Sequence, residues 1–197
     1  MLFNFTADID VNDLKRHMGY FTQGGLGLPD PAWYTRTDAQ TRAIVSRYHA
    51  YIKQILTLTG TPPEQLDAAA AAVFDIETRI AQASRPLADL RLPSNTYAPV
   101  AVAALGKDKQ FRKLQLTQFL AAQGVTSETV SLANPQLFAQ LNTLLDTLKP
   151  EQWKAYLRYH VGAAMAPYLS RAWRDADFQF RGQVLRGETQ PLPRQQQ

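Results

Sequence analysis

Apolar side chains recur at spacings of three and four over most of the chain, a pattern typical of amphipathic α-helices. The first stripe begins after Asp38 and ends before Gly60, a residue suited to a helix C-cap. Three further stripes predict helices over residues 61–84, 108–123 and 134–149. We therefore predict a mainly α fold, a multi-helix lobe of about five to seven helices with at most a short β element.

Prolines mark where these helices begin and break. The TPPE stretch at 61–64 combines a capping box with proline at the first helical position, and the NP pair at 134–135 is a second cap-then-proline start. A last helix begins at Pro150, and Pro167 lies inside its apolar stripe. Because proline lacks an N–H and clashes with the preceding turn, we expect a kink or a restart at Pro167 before the run closes at Gly187.

The β content is expected to be small. Residues 1–10 fit either a short strand or an extended lead-in, and alternation over 128–132 predicts a short strand. Three prolines make residues 86–106 mostly loop, with a short helix over 100–105. Along the chain we expect an extended lead-in and glycine-rich loop at 1–36, a helical lobe at 37–187 and a disordered tail at 188–197.

The composition is that of a globular protein, with 45% hydrophobic and 19% charged residues among 197. This length is sufficient to bury a core. The absence of cysteine excludes a disulfide, a cysteine-based zinc site and a thiol nucleophile. The sequence contains no apolar run of roughly 18 residues, the length that would predict a membrane span. Its first residues lack the pattern of a signal peptide.

The net charge of +4 is modest and spread along the chain. The densest basic cluster comprises Lys107, Lys109, Arg112 and Lys113, with Phe111 inside it. A solvated helix face explains this cluster better than a phosphate-binding surface does. We therefore predict no nucleic-acid partner.

No pattern typical of a catalytic or metal site is present. His17, His49 and His160 are far apart in sequence, and neither H-E-x-x-H nor G-x-S-x-G occurs. His160 lies on an apolar stripe among aromatic residues, which favours a hydrogen-bonded core histidine over a ligand. The sequence predicts no catalytic residue and no metal ligand.

The carboxylate pairs at 75 and 77 and at 175 and 177 do not converge, because residues two apart on a helix point to different faces. Glu77 lies beside an inward-facing stripe, and we expect it to pair with Arg79 or Arg85. A structural role is therefore favoured for Glu77.

Three of the ten glycines fall within four positions of the stretch QGGLGLPDPAWY, residues 23–34. Their spacing matches neither phosphate-loop pattern, and Pro29 prevents the helix N-terminus that would bind a phosphate. The remaining interpretation is a turn with positive φ that brings the backbone close to another element, held by Leu26 and Leu28 packing inward.

The same stretch resembles the QGGLGLP-D-x-x-Y-Y signature of the neprilysin-like zinc metallopeptidase family. ETRIA at 77–81 is similar to the family's "E-x-x-(I/L)-A" helix, and SRAWRDADFQFRGQVLRG at 170–187 follows its S-x-A-(F/W)-x-x-A-x-F-x-F-x-G-x-x-L-x-G segment nearly in step. The structural motif loop is assigned to Gln23, Gly24, Gly25, Leu26, Gly27, Leu28, Pro29 and Tyr34, and packing of the lobe to Glu77, Trp173, Phe178 and Phe180.

The resemblance implies the N-terminal, non-catalytic helical region of such an enzyme, which covers the catalytic lobe and restricts entry to large substrates. Zinc, its ligands and the hydrolysis of oligopeptides would belong to the intact family member, so the missing catalytic half is the expected partner and this chain alone is predicted inactive. The resemblance favours a periplasmic or secreted location. Pro31 and Ala32 stand where the family has a charged pair, and the PRQQQ ending suggests a truncated chain or a gene fragment.

Two other functions remain open from the sequence. One is a free-standing helical interaction module, which would bind a partner or a second copy through an exposed apolar surface. The other, less favoured, is a basic nucleic-acid binder that uses the cluster at 107–113.

Overall fold

The computed structural model describes residues 2–191, so positions 192–197 of the predicted tail lie outside the described part. A mainly α fold with a small sheet is confirmed. The α-helices of the described residues are α1 Ala39–Leu58, α2 Leu66–Ala83, α3 Val102–Lys107, α4 Leu116–Ala122, α5 Pro135–Thr147, α6 Pro150–Met165 and α7 Arg171–Asp177. The strands are β1 Phe3–Asp10, β2 Asp13–Gln23, β3 Pro99–Ala101 and β4 Thr129–Leu132. No helix in this part of the chain has the length and apolar character needed to cross a bilayer.

The described residues form two compact units that each draw on two stretches of the chain. The sheet unit comprises the residues up to Tyr34 together with Glu77–Leu148. The helical unit comprises Thr35–Ile76 together with the described residues from Lys149 onward. The division at residues 36 and 187 that the sequence suggested stays a prediction.

The sheet is built on a β-hairpin. β1 pairs antiparallel with β2 from Phe3 opposite Gln23 to Ile9 opposite His17, and the strand order is β1-β2-β4-β3 with β2 and β4 parallel. The strand alternative for residues 1–10 is confirmed, as is the strand within 128–132. The sequence did not predict β2, because its first five residues are all exposed and none of the last six is, so exposed and buried positions do not alternate.

Five phenylalanines form the core of the sheet unit. Phe21 on β2 is fully buried, and its ring centroid lies 4.8 to 5.9 Å from those of Phe3, Phe5, Phe119 and Phe138. Gly19 makes room for this cluster, because a Cβ there would lie 2.5 Å from the Phe5 ring. Edge-to-face and tilted aromatic contacts therefore join the hairpin to α4 and α5.

The helix predicted over 108–123 is wrong as one continuous element. Residues Lys109–Leu114 form a 3-10 helix, Gln115 has a left-handed φ of 50°, and only then does α4 begin. The Lys113 N–H donates to the Asn142 side chain at 2.7 Å rather than to a carbonyl of its own helix. A contact with α5, invisible in local sequence, therefore interrupts the helix. The short helix expected over 100–105 is found as α3.

The capping box predicted at 61–64 is also wrong. Pro62 is extended, Pro63–Gln65 form a 3-10 turn, and α2 starts at Leu66. The buried Thr61 hydroxyl has no hydrogen-bond partner in the described residues. The N-cap position is Pro62, whose side chain has no hydrogen-bond acceptor, so this helix start has no side-chain cap. The second cap is confirmed, since Asn134 accepts a hydrogen bond from the Leu137 N–H at 3.2 Å.

The helical unit packs α6 closely against α1 and α7. A Cβ at Gly162 would lie 2.9 Å from Ile55, 3.1 Å from Thr59 and 3.1 Å from Trp173. The break expected at Pro167 is confirmed, because α6 ends at Met165 and a 3-10 helix spans Ala166–Tyr168.

We predict that Gly162→Val lowers the free energy of unfolding by about 1 to 3 kcal/mol, the usual cost of overpacking a core. Valine has a higher helix propensity than glycine, so a loss of stability reports the clash and not the helix. Urea denaturation followed by circular dichroism measures the change. The control is Ala164→Val at an exposed position of the same helix, and equal stability of the two variants would contradict the prediction.

A second prediction concerns Asp38, the N-cap of α1. Its carboxylate accepts hydrogen bonds from the N–H and hydroxyl of Thr41, which together with nearby Arg36 lower its pKa to about 2. Because the folded pKa lies below the unfolded value of about 3.9, the stabilisation is present above pH about 4 and is lost as the pH falls toward 2.

The difference in unfolding free energy between the native chain and Asp38→Ala, measured from pH 6 to pH 2, should therefore shrink below pH 4. Asp38→Asn keeps a capping side chain that does not titrate and is the matched control. A difference that stays constant over this range would contradict the assignment.

Candidate functional site

The glycine-rich loop follows β2 directly and leads into a 3-10 helix at Pro31–Tyr34. Gly25 is buried and has a φ of 83°, the positive value that the turn interpretation requires. At Gly24 a Cβ would lie 3.2 Å from the backbone of Phe3 on β1. The first glycine thus permits close approach of two backbones, and the second permits the turn.

Tyr34 holds the loop from inside the sheet unit. Its hydroxyl oxygen accepts hydrogen bonds from the backbone N–H groups of Gly27, at 3.1 Å, and Leu28, at 2.9 Å. The same hydroxyl donates to Oε2 of Glu77 at 2.8 Å. Glu77 is fully buried, and Tyr34 and Leu28 nearly so. Two residues placed by the sequence in different roles, the loop tyrosine and the packing glutamate, therefore meet in one buried cluster.

Of the two partners expected for Glu77, Arg85 is wrong, and the pairing with Arg79 stays a prediction. The Arg85 guanidinium donates instead to Oδ1 of Asn95, at 2.9 Å, and to the carbonyl of Ala133, at 3.2 Å. Arg85 follows the end of α2, so its side chain crosses to the segments before β3 and after β4. The partner that sequence reasoning missed is the Tyr34 phenol, 43 residues away.

Gln23 is a second anchor of the loop. Its side-chain amide donates to the Arg85 carbonyl at 3.1 Å and accepts from the Arg85 N–H at 3.0 Å. The Gln23 amide thus bonds both the N–H and the carbonyl of Arg85, as a paired strand would. These two bonds fix the start of the loop beside the end of α2. The sequence placed Gln23 in the motif but contained no signal for this partner.

A cavity of about 280 Å³ lies between the loop and the segment after α2. Its lining is chiefly apolar and includes Leu26, Leu28, Pro29, Leu87 and Leu90. No titratable side chain lines it. The loop therefore contributes to a chiefly apolar surface.

The packing residues near the end of the chain lie in the helical unit. Phe180 is buried and stacks on Tyr51, with ring centroids 4.9 Å apart and an interplanar angle of 17°. Trp173 packs against Gly162, where a Cβ would lie 3.1 Å from its ring. A Cβ at Gly182 would lie only 2.5 Å from the Phe178 ring. Residues Phe178–Leu185 form a π-helix, a geometry that Gly182 allows because it leaves space for that ring.

A polar cluster accompanies these aromatic rings. Asp177 accepts a hydrogen bond from the Tyr51 hydroxyl at 3.1 Å and pairs with Arg181 at 3.4 Å. Burial raises the pKa of Tyr51 above its ordinary value, and the neighbouring Asp177 adds to this effect. Tyr51 thus stays protonated and donates the hydrogen bond to Asp177.

The described residues do not fit a zinc site. No group of three or more histidine, aspartate or glutamate side chains in residues 2–191 is placed to hold a metal ion. His17 lies on β2, His49 contacts Phe74, and His160 lies against Tyr156 and Tyr159. Each histidine thus belongs to a different element and environment.

The fold and the loop define a helical lobe with a small sheet and a glycine-rich loop anchored on buried polar groups. Over residues 1–197 the chain matches the sequence model of the N-terminal region of Peptidase family M13. The chain belongs to this family. It is 25% identical over 187 residues to Neprilysin-3 of Drosophila melanogaster, with 89% of this chain and 24% of that protein aligned. Endothelin-converting enzyme-like 1 of Mus musculus is 26% identical over 180 residues, covering 89% of this chain and 23% of that protein.

Solved structures support the same assignment. The zinc metalloprotease ZMP1 of Mycobacterium tuberculosis in its open state superposes with a TM-score of 0.89 at 26% identity, over 100% of this chain and 30% of that one. PepO of Lactobacillus rhamnosis HN001 shares the fold, with a TM-score of 0.82 at 21% identity over 98% of this chain and 30% of that one. The chain therefore spans about a quarter of the curated relatives and 30% of these solved chains.

We predict that Tyr34→Phe lowers the free energy of unfolding by about 2 to 4 kcal/mol, because two loop N–H groups lose their acceptor and a buried carboxylate loses a donor. Amide hydrogen exchange at Gly27 and Leu28 should accelerate as well. The matched control is Tyr168→Phe, since Tyr168 is 76% exposed. A Tyr34→Phe variant as stable as this control would contradict the proposed anchoring.

Proposed function

We propose that this chain forms part of the wall of the substrate chamber of a neprilysin-like zinc metallopeptidase. In this proposal it selects oligopeptides by size, and the zinc ion and the residues that hydrolyse the peptide bond come from another part of the enzyme. The observation that carries the proposal is the match to the N-terminal model of the family over residues 1–197. The likeness to ZMP1 at a TM-score of 0.89 supports it.

The buried anchors of the loop suit such a wall. A chamber that excludes large substrates needs walls that keep their shape against solvent and substrate. The hydrogen bonds of Tyr34 with Gly27, Leu28 and Glu77, and those of Gln23 with Arg85, hold the loop on both sides. We assign residues 23–29 and Tyr34 a supporting role in the wall. Glu77 would anchor them from the interior through its hydrogen bond with Tyr34.

The same reasoning assigns Trp173, Phe178 and Phe180 to the rigidity of the helical unit. Their contacts with Gly162, Gly182 and Tyr51 are so tight that a small change in side-chain volume at these positions would disturb the packing. None of these rings carries a group that could act in acid–base catalysis or bind zinc. Their contribution to the enzyme is to keep the helices in place.

The proposal is tested with an internally quenched oligopeptide in the presence of zinc. We expect no cleavage by the chain alone, and cleavage by a polypeptide that joins this chain to the sequence that follows it in the genome. A chelator should abolish that cleavage, because the zinc-bound water is the expected nucleophile of the intact enzyme.

Size selection has its own readout in the same assay. The joined polypeptide should cleave the oligopeptide but leave the same sequence intact when it is embedded in a folded carrier protein. Cleavage by the chain alone that a chelator stops would overturn the assignment of the zinc site to another region. Equal cleavage of the free and the embedded sequence would overturn the role in size selection.

A further inference from the structure

The outer face of α6 carries an apolar stripe that nothing in the described residues covers. It consists of Leu157, Val161, Met165 and, in the 3-10 helix that follows, Tyr168, which are 51%, 62%, 46% and 76% exposed. We call these four residues the outer stripe. At about 100° per residue Leu157, Val161 and Met165 fall within roughly a quarter of the circumference of α6, and Tyr168 follows three residues after Met165.

The opposite face of the same helix is buried in the helical unit. Tyr156, Tyr159 and Ala163 are at most 1% exposed, and Gly162 lies against α1 and α7 without space for a Cβ. A helix this tightly held presents its outer side chains on a rigid support. Binding to such a surface loses little conformational entropy in the backbone, which favours its use as a docking site.

Along α6 itself, the cationic side chains beside the outer stripe lie toward its Leu157 end. Lys154 and Arg158 lie within the same sector of the helix, are exposed, and have no ion-pair or hydrogen-bond partner among residues 2–191. The nearest acidic residue on this face, Glu151, lies a turn further toward the start of α6. From Val161 to Tyr168 the exposed positions are Ala164, Met165 and Pro167, none of which is charged.

The stripe has a definite length. The eight steps from Leu157 to Met165 correspond to about 12 Å at the α-helical rise of about 1.5 Å per residue, and the three steps to Tyr168 add about 6 Å at the 3-10 rise of about 2 Å. An extended peptide covers that distance with about five residues. Alternate side chains of such a peptide would face the stripe, and one end would lie beside the two cationic side chains.

We propose that the outer stripe docks an oligopeptide segment that carries apolar side chains along its length and acidic side chains at one end. The occupant is argued from charge complementarity, since an acidic end would pair with Lys154 and Arg158 while the apolar part covers the stripe. This inference rests on the proposed function, because it names the class of peptide that the wall would contact. Met165 suits a surface that accepts varied sequences, since its side chain is flexible and polarisable.

The test measures binding and not cleavage, so that it is independent of zinc and of the catalytic region. Fluorescence anisotropy is recorded with the full chain and two labelled seven-residue probes. One probe alternates leucine and serine and ends in two glutamates, and the other is identical except that it ends in two lysines. We expect saturable binding of the glutamate probe and at least fivefold weaker binding of the lysine probe.

Variants locate the surface. Val161→Glu should weaken binding of the glutamate probe by about tenfold or more, as truncating or charging an interface hot spot does. Arg158→Glu should weaken the glutamate probe and strengthen the lysine probe. Leu14→Glu on β2 is the matched control, because Leu14 is a 77% exposed apolar residue outside the stripe, and it should leave both affinities unchanged. Circular dichroism confirms that each variant is folded.

Four results would overturn the inference: no binding of either probe, equal binding of both, equal loss in Leu14→Glu and Val161→Glu, or self-association of the chain that Val161→Glu abolishes. The last would assign the stripe to a second copy. Failure of the wall proposal is recognised separately, since it appears as absent zinc-dependent cleavage by the joined polypeptide. Binding of the glutamate probe without such cleavage would retain the docking surface and reject the peptidase role.

Discussion

The hydrogen bond between the Tyr34 phenol and the buried Glu77 carboxylate is the constraint on which the sheet unit depends. Isolating a carboxylate from water without partners would cost on the order of several kcal/mol, so the sequence must supply a donor at that point. The phenol that does so also binds two amides of the glycine-rich loop. The turn at Gly25 and the buried pair are therefore linked, and a change in the shape of the loop would break hydrogen bonds of the Tyr34 hydroxyl.

Interactions between residues that are close in sequence explain the parts of the fold that were predicted correctly. The start of α5 at Asn134, the positive φ of Gly60 after α1 and the break at Pro167 each depend on one residue and its immediate neighbours. In each case the deciding interaction spans only a few positions, so a single sequence carries the information.

The parts that the sequence did not predict depend on distant partners. Gln115 adopts its left-handed conformation two residues after Lys113, whose N–H is bound by Asn142 of α5. β2 is a strand because β1 and β4 flank it, not because its own residues alternate. At the candidate site, the loop residues were recognisable from their motif, but the bonds from Gln23 to Arg85 and from Tyr34 to Glu77 join positions 62 and 43 apart. Periodicity carries no information over such distances.

The interleaving of the two units sets the order in which they can be completed during synthesis. The sheet unit needs nothing beyond Leu148, so all of its strands and helices are available once that residue has left the ribosome. The helical unit has α1 early, but α6 and α7 are made only after the 91 residues that separate the end of α1 at Leu58 from the start of α6 at Pro150. During that interval the apolar face of α1, with Tyr48, Tyr51 and Ile55, is without its final cover. Nascent chains with such a delay expose surface to which chaperones bind, and closure of the long loop limits how fast the unit can form.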